Sequence, residues 1–378
     1  MAELDPDMYP NLNDIWPSDK PDEDEGAPST KTVSIILLYL VVFIIGVTGN
    51  VLVTAVVAVN EHMRSVTNMF ISQIALGDII MLLLAMPFDI IGNYVYEDWS
   101  FGAALCKTIM FSKDYALAVS IITLTAMTID RFLTLSRSMR KYSIRTMKKF
   151  FTVAVIIQLL SLSVAIPSTV FSDVWHNFTP NGQSNDSAAN TSTRICKLNT
   201  RSSSLLLISL SRVFLFYVLP LAIIGVSFTK INAFLRSTEA QVLLSSNEKI
   251  MAACKRALKL LLILVGLYSA LLLPTVIDTI ISLAISDESL YHNKWFSLFE
   301  FLADTALYAI CIYKPVVYSI MNANFRRGFR ELICCVKGSS GINTLDTHDD
   351  TSTLDTNDIW FNSDFSESSV QYDVGDRV

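Results

Sequence analysis

The stretch VSIILLYLVVFIIGVTGNVLVTAVVAV, residues 33–59, carries no charged side chain from end to end. A helix rises about 1.5 Å per residue and the hydrocarbon core of a bilayer is roughly 30 Å thick, so a run of this length crosses it. Amides in hydrocarbon have no water to bond, which leaves an α-helix or a closed barrel. A barrel would show only short alternating segments. Further apolar runs follow at 67–95, 103–135, 150–171, 204–231, 258–285 and 295–321, making seven. The expected fold class is an all-α membrane protein, a seven-transmembrane helix bundle. Pro87, Pro167, Pro220, Pro274 and Pro315 lie within these runs and should kink them.

Composition agrees. At 52% apolar and 17% charged residues in 378, with a mean hydropathy of +0.44, the chain is too apolar for an ordinary soluble domain. Its net charge of −6 misleads, because the acids sit in the two tails while Lys and Arg flank the apolar runs. That distribution is not a nucleic-acid footprint, and no nucleic-acid partner is expected. Four His residues are scattered through loops and tails, with no nucleophile, base and orienter set and no metal-ligand cluster. An enzyme is therefore not expected, nor a cofactor or metal. A transporter or channel would usually show internal repeats or paired broken helices, and none is visible.

Basic residues set the orientation. Arg137, Arg140, Lys141, Arg145, Lys148 and Lys149 follow the third run, Lys249, Lys255, Arg256 and Lys259 follow the fifth, and Arg326, Arg327 and Arg330 follow the seventh. The positive-inside bias makes these segments cytoplasmic. The loop between runs four and five holds glycosylation sequons at Asn177, Asn185 and Asn190, which are accessible only on the lumenal side. The N-terminus is therefore expected outside, in a multi-pass protein of the plasma membrane. Residues 1–32 have no apolar core of signal-peptide type, so the first run should act as an uncleaved anchor behind an acidic, disordered extracellular tail. Residues 33–322 form the bundle. Residues 323–336 alternate apolar side chains with Arg, as an amphipathic helix on the inner leaflet does. Residues 337–378 form a polar cytoplasmic tail.

Six cysteines do not make a secreted framework, since Cys254 and Cys311 fall in spans and Cys334 and Cys335 lie inside as palmitoylation candidates. Cys106 and Cys196 remain outside. A disulfide between them would pin the sequon-bearing loop over the bundle mouth, the alternative being two thiols.

Taken in order, Gly49-Asn50, Leu76-Gly77-Asp78, Trp99-Ser100-Phe101-Gly102 before Cys106, Asp130-Arg131-Phe132, Pro220, Pro274 and Pro315-Val316-Val317-Tyr318 resemble the rhodopsin-like, class A G-protein-coupled receptors over nearly the whole chain. Lys314 before that proline, with Asn322-Ala323-Asn324-Phe325-Arg326-Arg327-Gly328 after it, looks like the vertebrate orphan receptor numbered nineteen and its invertebrate neuropeptide-receptor relatives. Three positions depart from the family pattern. Ile157-Gln158 stands near the usual Trp of span four, Leu271-Leu272-Leu273 replaces the Cys-Trp pair before Pro274, and Phe228 replaces a common Tyr.

The resemblance implies a receptor that transmits ligand binding to a heterotrimeric G protein. Asp130 and Arg131 with Tyr318 would meet it, and Met139 would sit as an apolar plug or as an ordinary interfacial residue. The acid that locks this arginine in many relatives is replaced by Cys254, which predicts raised basal signalling. Asp78 is, by resemblance, the carboxylate that holds sodium with a hydroxyl, here Ser120. Lys314 faces it in the family geometry, so its ammonium should replace the sodium in a buried ion pair. The alternative is a lysine that snorkels to the inner face.

The outer halves carry Asp89, Lys113, Asp114, Arg212, Asp278, Glu300 and Asp304 as ligand-binding candidates. Lys113 occupies the place of the amine receptors' carboxylate, which argues against an amine and for a peptide ligand. Internal pairing of Lys113 and Arg212 with Asp114 or Glu300 is the alternative use of those charges. Asp19, Asp22, Glu23, Asp24 and Glu25 would attract a basic peptide, or form only a solvated tail. By the same resemblance a light receptor needs a Schiff-base lysine where Tyr308 stands, which argues strongly against that reading. Phosphorylation at Thr351-Ser352-Thr353 or at Ser366, Ser368 and Ser369 would recruit arrestin.

Overall fold

The computed structural model describes residues 29–96, 98–135, 144, 146–179, 191–198, 203–237, 248–284 and 294–338. Among the described residues, seven helices are long and apolar enough to cross a membrane. They are α1 (Thr30–Val59), α2 (Val66–Val95), α3 (Gly102–Leu135), α4 (Met147–Phe171), α5 (Leu206–Arg236), α6 (Glu248–Ala284) and α7 (Lys294–Met321). A final helix, α8, spans Ala323–Gly338.

Hydroxyl caps start three of them: Ser29, Ser65 and Thr146 accept from the amides of Thr32, Asn68 and Lys149. Such caps satisfy amides that the first helical turn leaves without a partner. Proline removes a hydrogen-bond donor inside a helix, yet Pro167, Pro274 and Pro315 lie within continuous α-helices. Ahead of Pro220, residues Phe214–Val218 take a π-helical turn, and a second π turn at Ile91–Val95 follows Pro87. Each widens the helix where the ordinary ladder is interrupted. α6 begins at Glu248, well before the apolar run at 258, because the Lys and Ala residues ahead of that run are good helix formers.

Burial ranks the helices. In α3, 67% of the apolar window is buried, against 22% in α1, α4 and α5, which makes α3 the central post and those three the periphery. Leu37, Val41, Leu159, Leu160, Leu206 and Leu207 point outward, as a hydrocarbon solvent requires. Close approach of α1 to α7 depends on Gly49: a Cβ there would stand 2.9 Å from Pro315 Cβ. Beside it Asn50 donates to the carbonyls of Gly46 and Cys311, each at 2.8 Å.

Between α4 and α5 lies an element that the apolar runs do not foretell, an antiparallel hairpin of β1 (Ser172–Thr179) and β2 (Thr191–Leu198), with Val174 opposite Cys196. An isolated two-stranded hairpin is marginal in water, so its anchorage matters. Cys106 at the start of α3 is joined to Cys196 by a disulfide. At the inner end α8 returns along α1. Phe325 is fully buried with its ring 5.8 Å from that of Tyr318, and a Cβ on Gly328 would lie 2.5 Å from Val56.

Candidate functional site

Polar side chains fall into four levels, taken from the hairpin end of the bundle, the end expected outside. At the outer mouth the hairpin is tied to the loop after α2 through Arg194, whose amide and guanidinium both donate to Asp98, at 2.8 and 2.6 Å. Its carbonyl accepts from Trp99 N at 2.7 Å. The Asp98 hydrogen bond and charge hold the exposed Arg194 guanidinium above its ordinary pKa. Trp99 is buried, its indole donating to the Gly102 carbonyl at 2.9 Å. Gly92 permits this, because a Cβ there would stand 2.6 Å from the indole.

Below the hairpin, Asp89 accepts from Lys113 Nζ at 2.5 Å, Tyr308 OH at 2.7 Å and Asn93 Nδ2 at 3.0 Å. Both Asp89 and Lys113 are buried. Arg212 pairs with Asp114 at 2.7 Å, leaving Asp114 Oδ2 and Arg212 Nε buried without partners. The partner of Arg212 is thus the one expected for internal pairing, whereas Lys113 takes Asp89 on the neighbouring helix. Tyr94 donates to Asp304 Oδ2 at 2.6 Å. Asp278 Oδ1 is buried with no hydrogen-bond partner. Asp278 and Asp304 belong to adjoining turns of α6 and α7, since Thr275 donates to the Ala303 carbonyl at 3.3 Å. Glu300 lies on α7 one turn before Asp304, half-buried.

At mid-membrane Lys314 Nζ lies 2.7 and 2.9 Å from the two carboxylate oxygens of Asp78 and 2.9 Å from Ser120 Oγ. Lys314, Asp78 and Ser120 are each about 1% exposed. An ammonium has three protons, and here each meets an acceptor. The snorkelling alternative does not describe this geometry. Near the pair, the hydroxyls of Tyr268 and Tyr318 are buried without partners, while Tyr313 donates to the Leu264 carbonyl at 2.9 Å.

At the inner end Asp130 accepts from Ile144 N at 2.6 Å, and Arg131 donates to Thr67 Oγ1. Ile231 of α5 and Leu258 of α6 are buried together, with Phe132 and Leu135 of α3 against them. The inner ends of α3, α5 and α6 are therefore closed on one another. Met139, Asn185, Asn190, both acidic and Ser/Thr-rich tails, and the tail phosphorylation candidates lie outside the described residues. Asn177 lies in β1 opposite Thr193. Cys334 and Cys335 lie in α8.

Three participants escape a reading of charges alone. Asn93 stands four residues after Asp89, a helical spacing that was legible. Tyr94 and Tyr308 reach their carboxylates across helices, and only the need of a buried acid for a donor hints at them.

Residues 49–318 match the family model described as 7 transmembrane receptor (rhodopsin family). The RYamide receptor of Drosophila melanogaster is 26% identical over 339 residues, a match covering 83% of this chain and 68% of that one. Bombesin receptor subtype-3 of Ovis aries is 27% identical over 315 residues, covering 81% of this chain and 76% of its own.

Proposed function

The chain belongs to the rhodopsin family of seven-transmembrane receptors, and from that premise we propose that it is a plasma-membrane receptor for a peptide, with its N-terminus outside and a heterotrimeric G protein as its inner partner. The relatives' printed names, for RYamide and bombesin, support a peptide. The domain plan follows: a tail at 1–32, the bundle at 33–322, an inner-leaflet helix at 323–336 and a cytoplasmic tail at 337–378 that takes phosphate and then arrestin.

One observation carries the ligand class. Among the described charged groups below the hairpin, Lys113 and Arg212 are both spent internally, on Asp89 and Asp114. Asp278 and Asp304 have no ion-pair partner among the described residues, and Asp304 receives only the Tyr94 hydroxyl. A carboxylate in a low-dielectric site gains most from a cation delivered with the ligand. The peptide should therefore bring an arginine or lysine to these two acids, with its remaining length spread under the hairpin. An amine-sized ligand would leave most of this polar surface without partners.

Signalling proceeds as a population shift: a ligand that binds better to a conformer with the inner ends of α3, α5 and α6 parted draws the closed bundle toward it. Arg131 and Tyr318 would then meet the G protein.

The test is a peptide library applied to transfected cells with second-messenger readouts, followed by Asp278→Asn and Asp304→Asn. Basic peptides should activate the receptor, and each substitution should weaken the response to them at least tenfold while leaving surface expression intact. Activation by neutral peptides that is indifferent to both substitutions refutes the cation seat. Silence on every pathway refutes G-protein coupling.

A further inference from the structure

Lys314 is the most deeply enclosed lysine among the described residues, and nothing in ligand capture or G-protein contact requires it there. Asp78 on α2 is equally enclosed, with the Cys311 thiol and the buried hydroxyls of Tyr268 and Tyr318 near it. A lone carboxylate at that depth would take a proton or bind a cation from solution. The groups that would coordinate such an ion, both oxygens of Asp78 and the Ser120 hydroxyl, are the three atoms that Lys314 Nζ contacts, at 2.7, 2.9 and 2.9 Å. With three protons meeting three acceptors, no coordination site is left over.

We propose that Lys314 is a tethered cation that permanently fills a monovalent-ion site formed by Asp78 and Ser120, so that this receptor neither binds nor senses sodium at its core. Because the cation is part of α7, it also joins α2, α3 and α7 at one point. A soluble ion in the same place would leave when the bundle rearranged, but this one cannot. The state of the core is therefore independent of the salt outside the cell, and α7 moves only with the carboxylate it holds or by breaking that contact.

The experiment uses the full-length receptor purified in detergent, with sodium chloride as the probe against choline chloride at equal ionic strength. Thermal unfolding of the native receptor should show no sodium-specific shift. Lys314→Asn removes the ammonium but leaves Asp78 and Ser120, and this variant should acquire a midpoint that climbs with sodium concentration and saturates. Adding Asp78→Asn to it should abolish the acquired response. A saturable, sodium-specific rise in the native receptor overturns the proposal. So does a folded Lys314→Asn variant that ignores sodium, since the three acceptors would then not form an ion site. If that variant does not fold, Lys314→Gln replaces it. If neither folds, the native receptor decides alone, with a flat response upholding the proposal and a sodium-specific rise defeating it.

Discussion

Replacing Tyr268 with Phe should hold the receptor in its closed form. Tyr268 lies on α6 one turn before Leu272, its side chain is 0% exposed, and its hydroxyl has no hydrogen-bond partner. The inner ends of α3, α5 and α6 are packed together in this conformation, so the penalty of the unmade bond falls on the closed state. A buried polar group without a partner costs about 1–3 kcal/mol. Phe keeps the ring and its packing and removes only the hydroxyl, which relieves that cost. Wherever a turn of α6 brings the hydroxyl to an acceptor, Phe loses that bond as well. Both effects favour the closed state. A difference of about 1–3 kcal/mol is a roughly 5- to 150-fold shift in a two-state equilibrium. Agonist-free second-messenger accumulation, normalised to surface receptor by antibody binding, should fall within that range, and thermal unfolding of the purified variant should move upward. Basal output that is unchanged or higher at native surface density would show that the hydroxyl is satisfied in the closed state, and the reasoning would fail.

Further outcomes follow from the same geometry. Asp78→Asn and Lys314→Met should each cost about 3–5 kcal/mol by stranding a buried partner, while the double substitution should cost far less than their sum, as surface delivery and thermal unfolding will show. Because Arg131 rests on Thr67 and Cys254 stands where many relatives carry an acid, agonist-free cells should signal above vector controls, and placing Glu at 254 should lower that output. Asp98→Arg and Arg194→Asp should each speed hydrogen exchange of the hairpin amides, and the exchanged pair together should restore protection. Independent, additive effects would rule out the Asp98–Arg194 tie as a clamp. Gly49→Val should reduce folded receptor, since its side chain would collide with Pro315. Equal yield of ligand-binding receptor would argue that α1 can shift away.

Seven spans and the family were legible in the chain because the solvent is hydrocarbon. Each helix must satisfy its own amides, so a continuous apolar run specifies both element and environment without reference to its neighbours. Lys314 and Asp78 were legible for the same reason: an ionised side chain inside such a run is conspicuous, and so is its need for a partner. What the chain could not disclose is which partner each remaining charge takes. Lys113 turns to Asp89 and Arg212 to Asp114, leaving Asp278 and Asp304 over, and that division depends on how the helices are rotated about their axes. Tyr94, Tyr308 and Tyr268 carry no charge to mark them, and their hydroxyls acquire meaning only from atoms on other helices. The hairpin likewise depends on Cys106 and Asp98, far from it in sequence. Local chemistry determined the spans, while rotation and contact between them decided which buried groups are satisfied and which are left to a ligand.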